Sequence, residues 1–392
     1  MFIASSAPQW SDPASPSSET ARPAPSRPVP PPPAEAAAAS VPQSFAAPIA
    51  VAVGTVAVES LSREAFRALV EVERMRSDRS GRSLSVVTLR APAGDARAAM
   101  ATAWASRVRT TDRVVWLNRD RLALILWDTD ADAARRFLRS AGHAADVPGN
   151  RGGTVLYSHP LPVPALEPGA DPADGGHDSV LPVEALLVRP MPFWKRSLDV
   201  VGALVGLTVL SPALLAVYAA VRLTSPGPAL FVQRRAGLGG RVFHLYKFRS
   251  MTVDAEARQA AMLTQNEQDG PAFKMEQDPR ITAVGRLIRK TSVDELPQLW
   301  NVLKGEMSLV GPRPLPIAEA DACRPWQRRR LTVTPGLTCG WQVQDRRMAV
   351  PFEEWVRMDL RYARRRTVRG DLSLIARTVA AVAREVRPNK PR

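Results

Sequence analysis

Residues 200–221 form a run of 22 without one charged side chain, bounded by Lys195, Arg196 and Asp199 before it and Arg222 after it. As a straight helix the run is about 33 Å long, against a bilayer hydrocarbon core of about 30 Å. Two features oppose a simple crossing. Ser211-Pro212 lies at the midpoint, where proline removes a backbone donor and crowds the preceding turn. Cations flank the run on both sides, Arg189, Lys195 and Arg196 before, Arg222, Arg234, Arg235 and Arg241 after, so the positive-inside rule favours neither orientation. Both features fit a helix–break–helix hairpin over about 198–222 that enters and leaves by one membrane face. The Ser211 hydroxyl is then a candidate partner for backbone groups freed at the break. A single span and a long core helix are the alternatives.

Charge divides the rest of the 392-residue chain. The whole carries +15, and residues 191–392 alone hold 33 basic against 18 acidic side chains, so the excess belongs to the C-terminal half. That excess calls for an anionic partner: nucleic acid, a phosphorylated substrate or a membrane surface. Only six of the bases are Lys, and Arg is the better bidentate phosphate ligand. Two cysteines, Cys323 and Cys339, leave no disulfide framework and no Cys-based zinc site. Residues 1–53, rich in Pro, Ala and Ser, read as a disordered tail with polyproline II character and without a signal peptide. A second Pro/Gly- and acid-rich stretch, 161–190, reads as a linker between two folded regions.

The first folded region, 54–160, shows helix and strand signals in the order αβαββαβ. Phe66, Leu69, Val70 and Met75 give a helical face, 84–89 a buried strand and 96–108 a helix. Residues 114–117 and 122–127 give a hairpin turning at 118–121, 131–141 a helix and 154–157 a last strand.

The second region, 191–392, carries the chemistry. Gly237, Gly239 and Gly240 make either a hairpin turn or a phosphate cradle between two strand-like pieces. Lys247, Arg249, Arg286, Arg289 and Arg313 are cations near turns and helix ends, apt for a diphosphate or simply solvated. Asp294-Glu295 admits two readings. Ser292-x-x-Glu295 matches a capping box, Asp294 is a good N-cap, and Pro297 suits a first helical turn. Alternatively, a helix N-terminus with Arg286, Arg289 and Lys290 lowers the Asp294 pKa and leaves an exposed, ionised carboxylate able to attack phosphorus.

Together, Lys247-Phe248-Arg249, Arg289, Asp294-Glu295, Gly311-Pro312-Arg313-Pro314, Pro335-Gly336-Leu337-Thr338 and Trp341-Gln342-Val343 resemble the bacterial sugar transferase family, the monotopic polyprenyl-phosphate phosphoglycosyl transferases. The resemblance spans about half the chain. It implies a re-entrant helix broken at Ser211-Pro212, Asp294 as nucleophile and Glu295 as partner of a Mg²⁺. It implies a uridine-nucleotide loop at Pro312 and Arg313, and substrate-directed cations at Lys247, Arg249 and Arg289. The implied reaction moves a sugar-1-phosphate from a UDP-sugar to polyprenyl phosphate, with release of UMP, at the start of surface-glycan synthesis. One departure follows Val343, where Gln344-Asp345-Arg346 replaces a Ser-Gly-Arg the family often carries and leaves the sugar open.

Region 54–160 resembles the GGDEF (diguanylate cyclase) domain through Thr111-Asp112-Arg113-Val114 and Asp128-Thr129-Asp130. Its hairpin reads Asn118-Arg119-Asp120-Arg121-Leu122, without the glycines that admit a nucleotide or paired metal-binding acids. A catalytically dead regulatory or dimerisation module is expected, and an unrelated α+β domain is the alternative.

Leu372, Ile375, Val379, Val382 and Val386 recur at helical spacing, as on a helix lying on an anionic surface or packed on the core. Trp326, Trp341 and Trp355 belong either to that interface or to the core.

The expected architecture is therefore α+β: a membrane-associated catalytic domain with a re-entrant helix, preceded by a small α/β GGDEF-like domain and a disordered tail. Expected partners are a UDP-sugar, polyprenyl phosphate and membrane lipids, with a homodimer compatible and no nucleic acid. The expected place is the inner membrane, with the catalytic domain facing the cytoplasm. A basic nucleic-acid-binding or signalling protein with a membrane anchor is the competing reading, whereas an N-terminal module that sets transferase output is compatible with the first.

Overall fold

Strands apolar on both faces, alternating with helices that carry one apolar stripe, are buried together only as layers. The computed structural model describes residues 56–92, 94–141, 153–161, 180–275, 277–344 and 350–386. The expected tail 1–53, residues 162–179 of the linker, and Asp345 and Arg346 lie outside the described residues. The N-terminal domain comprises β1 (Val58–Ser60), α1 (Arg63–Ser80), β2 (Leu84–Arg90), α2 (Ala96–Ala105), β3 (Arg113–Trp116), β4 (Arg121–Trp127), α3 (Ala131–Ser140), β5 (Thr154–His159), β6 (Leu181–Pro182) and α4 (Val183–Leu186). Its sheet runs β1-β3-β4-β2-β5-β6, antiparallel in the centre and parallel at each edge.

Side-chain alternation sorts the sheet residues between two layers. Val87, Leu89, Leu122, Leu124 and Leu156 meet α2 and α3 around Trp104. Val86, Val115, Ala123 and Ile125 meet α1 and α4 around Phe66, Val70 and Val183. The expected hairpin is β3–β4, paired Val114↔Leu124. The helix expected over 96–108 stops at Ala105. The linker is also shorter than read: Leu181 and Pro182 pair with Tyr157 and Ser158, and α4 follows. Prolines and acids masked that short apolar stretch.

The C-terminal half begins with α5 (Phe193–Thr224) and the antiparallel hairpin β7 (Leu230–Ala236)–β8 (Val242–Phe248). Then come α6 (Ala255–Gln259), α7 (Ala283–Lys290), α8 (Gln298–Lys304), β9 (Ser308–Val310), α9 (Ile317–Asp321), β10 (Gly336–Thr338), parallel to β9, α10 (Phe352–Arg364) and α11 (Val368–Val386). The three glycines form the hairpin turn of the blander reading. Trp341 and Trp355 are buried with Phe352, and Trp326 packs against them, so all three belong to the core.

Helix α5 differs from the expected hairpin. It is one 32-residue helix with Pro212 inside it, not two helices about a break. The Ser211 hydroxyl donates to Thr208 O at 2.8 Å, the carbonyl that the missing Pro212 N–H leaves without its helical partner. Only 6% of its most apolar 18-residue window is buried, and Val205, Val209, Leu215 and Tyr218 are exposed. Both ends nevertheless pack on the same domain. Ala203 and Leu207 join Phe243, Leu245 and Leu299, while Leu214, Val217 and Val221 join Phe248 and Ile288. Helix α11 buries Asp371 and leaves Leu372 and Val379 exposed.

In the N-terminal domain, buried His159 joins α1 to α4: Nε2 is 2.7 Å from Asp78 Oδ1 and Nδ1 3.6 Å from Glu184 Oε1. Burial opposes the imidazolium, but the two carboxylates outweigh it and raise the His159 pKa. A raised folded-state pKa contributes stability that is full below the unfolded value, about 6.5, and lost as pH rises through the folded value. The urea midpoint of this domain should therefore fall as pH is raised from 6 into the alkaline range. His159→Leu, which leaves Glu184 buried without the imidazolium, should cost about 1–3 kcal/mol at pH 6 and flatten that slope.

Candidate active site

Three segments converge because close backbone contacts hold them. Helix α7 is capped by Thr282, whose hydroxyl accepts from Gly285 N at 2.9 Å. It lies so near the end of β8 that a Cβ on Gly285 would strike the Ser250 carbonyl. Asn301 of α8, fully buried, donates to His244 O at 2.6 Å and accepts from Tyr246 N at 3.2 Å, fixing α8 on β8. The loop after β9 meets the turn before β10 at Gly311 and Gly336, where Gly336 N donates to Pro312 O at 2.9 Å. That contact holds the loop from which Arg313 reaches Glu295.

Asp294 and Glu295 lie in a one-turn 3-10 segment, Val293–Glu295, between α7 and α8. The capping-box reading does not hold: Ser292 is left-handed (φ 54°, ψ 17°) with no side-chain cap bond, and α8 starts at Gln298 after Pro297. A non-glycine residue in that region is strained by about 1 kcal/mol or more. The turn directs the two carboxylates into the space between β8, the last turn of α7 and the Arg313 loop.

The electrostatics reverse one expectation. Asp294 is 7% exposed, and burial, followed by the charge of Glu295, pushes its pKa up to about 6 against the pull of Arg289, Lys247 and Arg313. It is neither exposed nor held low, because desolvation outweighs the cations. Glu295 goes the other way. Burial opposes its charge, but Arg313 Nη2, 2.7 Å from Oε1, overcomes that and holds the carboxyl below the usual range. Burial, then the nearby Arg235, brings Lys247 down to about 8. Its Nζ sits 4.9 Å from the Phe231 ring centroid.

Of the expected site residues, Asp294, Glu295, Lys247, Arg289, Pro312 and Arg313 come together. Arg249 does not. Its guanidinium donates to Ser225 O and Oγ at 2.9 and 2.7 Å and ties the end of α5 to β8. Ser211 and Pro212 stay in the exposed middle of α5. In the sequence Arg235 is only a cation flanking the apolar run, yet it lies among these groups. It donates to Pro314 O at 2.8 Å and keeps a buried Nε with no hydrogen-bond partner. Period-2 spacing from Phe231, which pairs with Lys247, was the available signal for it.

The resemblance implies a Mg²⁺. Among the described residues no group of three or more His, Cys, Asp or Glu is placed to hold one. Arg313 engages only Oε1 of Glu295. Two adjacent carboxylates, with substrate phosphates and water completing the shell, are a donor set that fits Mg²⁺.

Residues 191–385 match the family model described as bacterial sugar transferase. The chain is 44% identical over 188 residues to the galactosyl transferase CpsE of Streptococcus agalactiae, covering 48% of this chain and 42% of that one. It is 41% identical over 197 residues to the UDP-glucose:undecaprenyl-phosphate glucose-1-phosphate transferase of Caulobacter vibrioides, covering 48% and 69%. It spans about two-fifths of the length of the first relatives it matches. A solved structure of a DGC protein from Thermotoga maritima aligns with 26% of this chain and 82% of its own at 15% identity, with a TM-score of 0.21. That score bears no weight for the fold.

Replacing Arg313 with Gln removes the countercharge of Glu295. The urea midpoint at pH 7 should drop by the equivalent of about 1–3 kcal/mol and recover partly as pH is lowered and Glu295 takes a proton. Adding Glu295→Gln should restore most of the loss. An unchanged midpoint in the single variant would remove the pair from the site's support.

Proposed function

The chain belongs to the bacterial sugar transferase family through residues 191–385, and from that membership we propose that it transfers a sugar-1-phosphate from a UDP-sugar to a polyprenyl phosphate such as undecaprenyl phosphate. The observation that carries the reading is the setting of Asp294. Four cations, Lys247, Arg235, Arg289 and Arg313, surround two carboxylates. They leave about two positive charges for the two negative charges of a nucleoside diphosphate-sugar. The relative in Caulobacter vibrioides carries this reaction in its name.

In the first half-reaction a carboxylate oxygen of Asp294 attacks the β-phosphorus. The bond from that phosphorus to the bridging oxygen breaks, and UMP leaves with the electron pair. A pKa near 6 leaves Asp294 mostly ionised at neutral pH yet more basic than an exposed aspartate, which suits a nucleophile. Arg313, Lys247, Arg289 and Arg235 offset charge on the transferring group. In the second half-reaction an oxygen of the lipid phosphate attacks the same phosphorus, the acyl-phosphate bond breaks, and Asp294 recovers its carboxylate. Glu295, with Asp294 beside it, would hold a Mg²⁺, which would supply charge neutralisation for the diphosphate.

The membrane reading rests on α5. Its exposed apolar middle suits lipid, and its two ends pack on one domain, which a helix emerging on the far face cannot do. We therefore read α5 as dipping into the inner membrane from the cytoplasmic face. Exposed Leu287, Trp300, Leu372 and Val379 supply further apolar contact. Family membership speaks against the nucleic-acid reading. The N-terminal domain fits a non-catalytic, GGDEF-like module, since its β3–β4 turn carries Asn118, Arg119 and Asp120 in place of glycines.

Incubation with a UDP-sugar labelled at the β-phosphate should place label on the protein, stable to denaturation and released by hydroxylamine as an acyl phosphate. Asp294→Asn should abolish labelling and slow UMP release at least about 10³-fold with the urea midpoint held. Label on the Asn variant would refute the assignment. Single cysteines at Met191 and Leu223 should both react with an impermeant thiol reagent in inside-out vesicles and neither in spheroplasts. Reaction of either one from the outer face would turn α5 into a span.

A further inference from the structure

Both domains lie in one compact unit, 48–392. A cleft of about 510 Å³ opens between them, walled by α1 on one side and by the 3-10 turn Pro325–Thr332 with α10 on the other. Four guanidinium groups line it: Arg67 from α1, Arg189 from the connection after α4, Arg329 and Arg364. Glu64 and Glu71 are the acids on its wall. Glu71 is already committed, since Oε1 accepts from Arg329 at 2.6 Å and from Arg74 at 3.1 Å. Arg189 reaches only the Ala363 carbonyl, at 3.3 Å. Among the described residues Arg67 and Arg364 make no hydrogen bond or ion pair, and Arg329 Nε is buried without a hydrogen-bond partner.

Folding has thus gathered more positive charge into a cleft than it has neutralised. Burial and neighbouring guanidinium groups both work against the charges there, lowering the pKa of Arg67 and Arg329. An anion would relieve that repulsion, and planar forked donors suit the oxygens of a phosphate better than a single carboxylate. Val72, Leu187 and Leu360 give the cleft an apolar wall, so the anion has room for an organic body. Its volume lies within the range of about 300–1,000 Å³ usual for small-molecule sites, which favour domain boundaries.

We propose that this cleft is a binding site for a phosphorylated small molecule, separate from the transferase centre and formed only where the N-terminal domain meets the catalytic half. Arg330, next to Arg329, donates to Arg313 O at 2.6 Å and pairs with Asp359 at 2.7 Å. The cleft is thereby one residue away from the support of the Arg313 loop.

The test needs no transferase activity, so its failure is distinct from failure of the proposed reaction. Full-length protein in detergent is mixed with inorganic pyrophosphate and treated with phenylglyoxal, and modified arginines are mapped by mass spectrometry. Pyrophosphate should reduce modification of Arg67 and Arg364 at least five-fold. In an Arg67→Gln/Arg364→Gln variant, protection of Arg189 should be lost while the urea midpoint stays unchanged or rises, because neither arginine has a bond to lose. Unaltered modification of Arg67 and Arg364 with pyrophosphate, or full protection of Arg189 in the variant, would overturn the site.

Discussion

Lys195 holds the catalytic half in register. Its ammonium is buried one turn into α5 and donates to Val310 O at 2.9 Å and to Asp371 Oδ2 at 2.6 Å. Tyr362 reaches the same two residues, at 2.9 and 3.0 Å. One turn along α5, Asp199 accepts from Ser308 Oγ and Leu309 N, both at 2.9 Å. Helix α5, β9, α10 and α11 are therefore locked at a single point. Removing one partner of such a buried pair typically costs about 3–5 kcal/mol, since the other charge is left without compensation. Because β9 runs straight into Gly311-Pro312-Arg313, the network that seats the helix also fixes the arginine that faces Glu295.

The carboxylate pair shows how one turn gives neighbouring acids opposite characters. Arg313 satisfies Glu295, whereas Asp294 is buried beside that negative charge with no partner as close among the described residues. Each acid's position depends on the left-handed Ser292, so the backbone strain sits next to the group proposed to react. A capped helix start would have placed Asp294 against backbone N–H groups, where a low pKa makes a weaker nucleophile.

Much of this was legible in the sequence, and the gaps have physical reasons. Alternating and helical patterns gave the central strands and helices of the N-terminal domain, but β1 and β6 are short edge strands with too few residues to show a period. The Asp294-Glu295 pair was visible as a motif. Its burial was not, because desolvation is set by β8, α7 and the Arg313 loop, which lie far apart in the chain. Arg249 looked equivalent to Lys247 as a cation two residues on, yet β8 ends at Phe248 and the chain turns its guanidinium to Ser225. Local spacing cannot carry such a turn. Lys195 and Asp199 read as charges at a membrane edge, and only the fold shows them as buried partners of residues more than 100 positions away.

Strand β8 explains how an exposed apolar helix and a polar site belong to one small domain. Phe243 and Leu245 pack under the first half of α5 and Phe248 under the second, while Lys247 stands among the site charges. Seven residues thus fix the position of Lys247 relative to the apolar helix, with no loop between them to relax the distance. A water-soluble diphosphate and a lipid phosphate differ in where they dwell, not in the chemistry of their phosphorus. In the proposed reaction, bringing both to one carboxylate would call for a rigid offset between an apolar helix and a cationic pocket, and the antiparallel hairpin braced by Asn301 on α8 has that character.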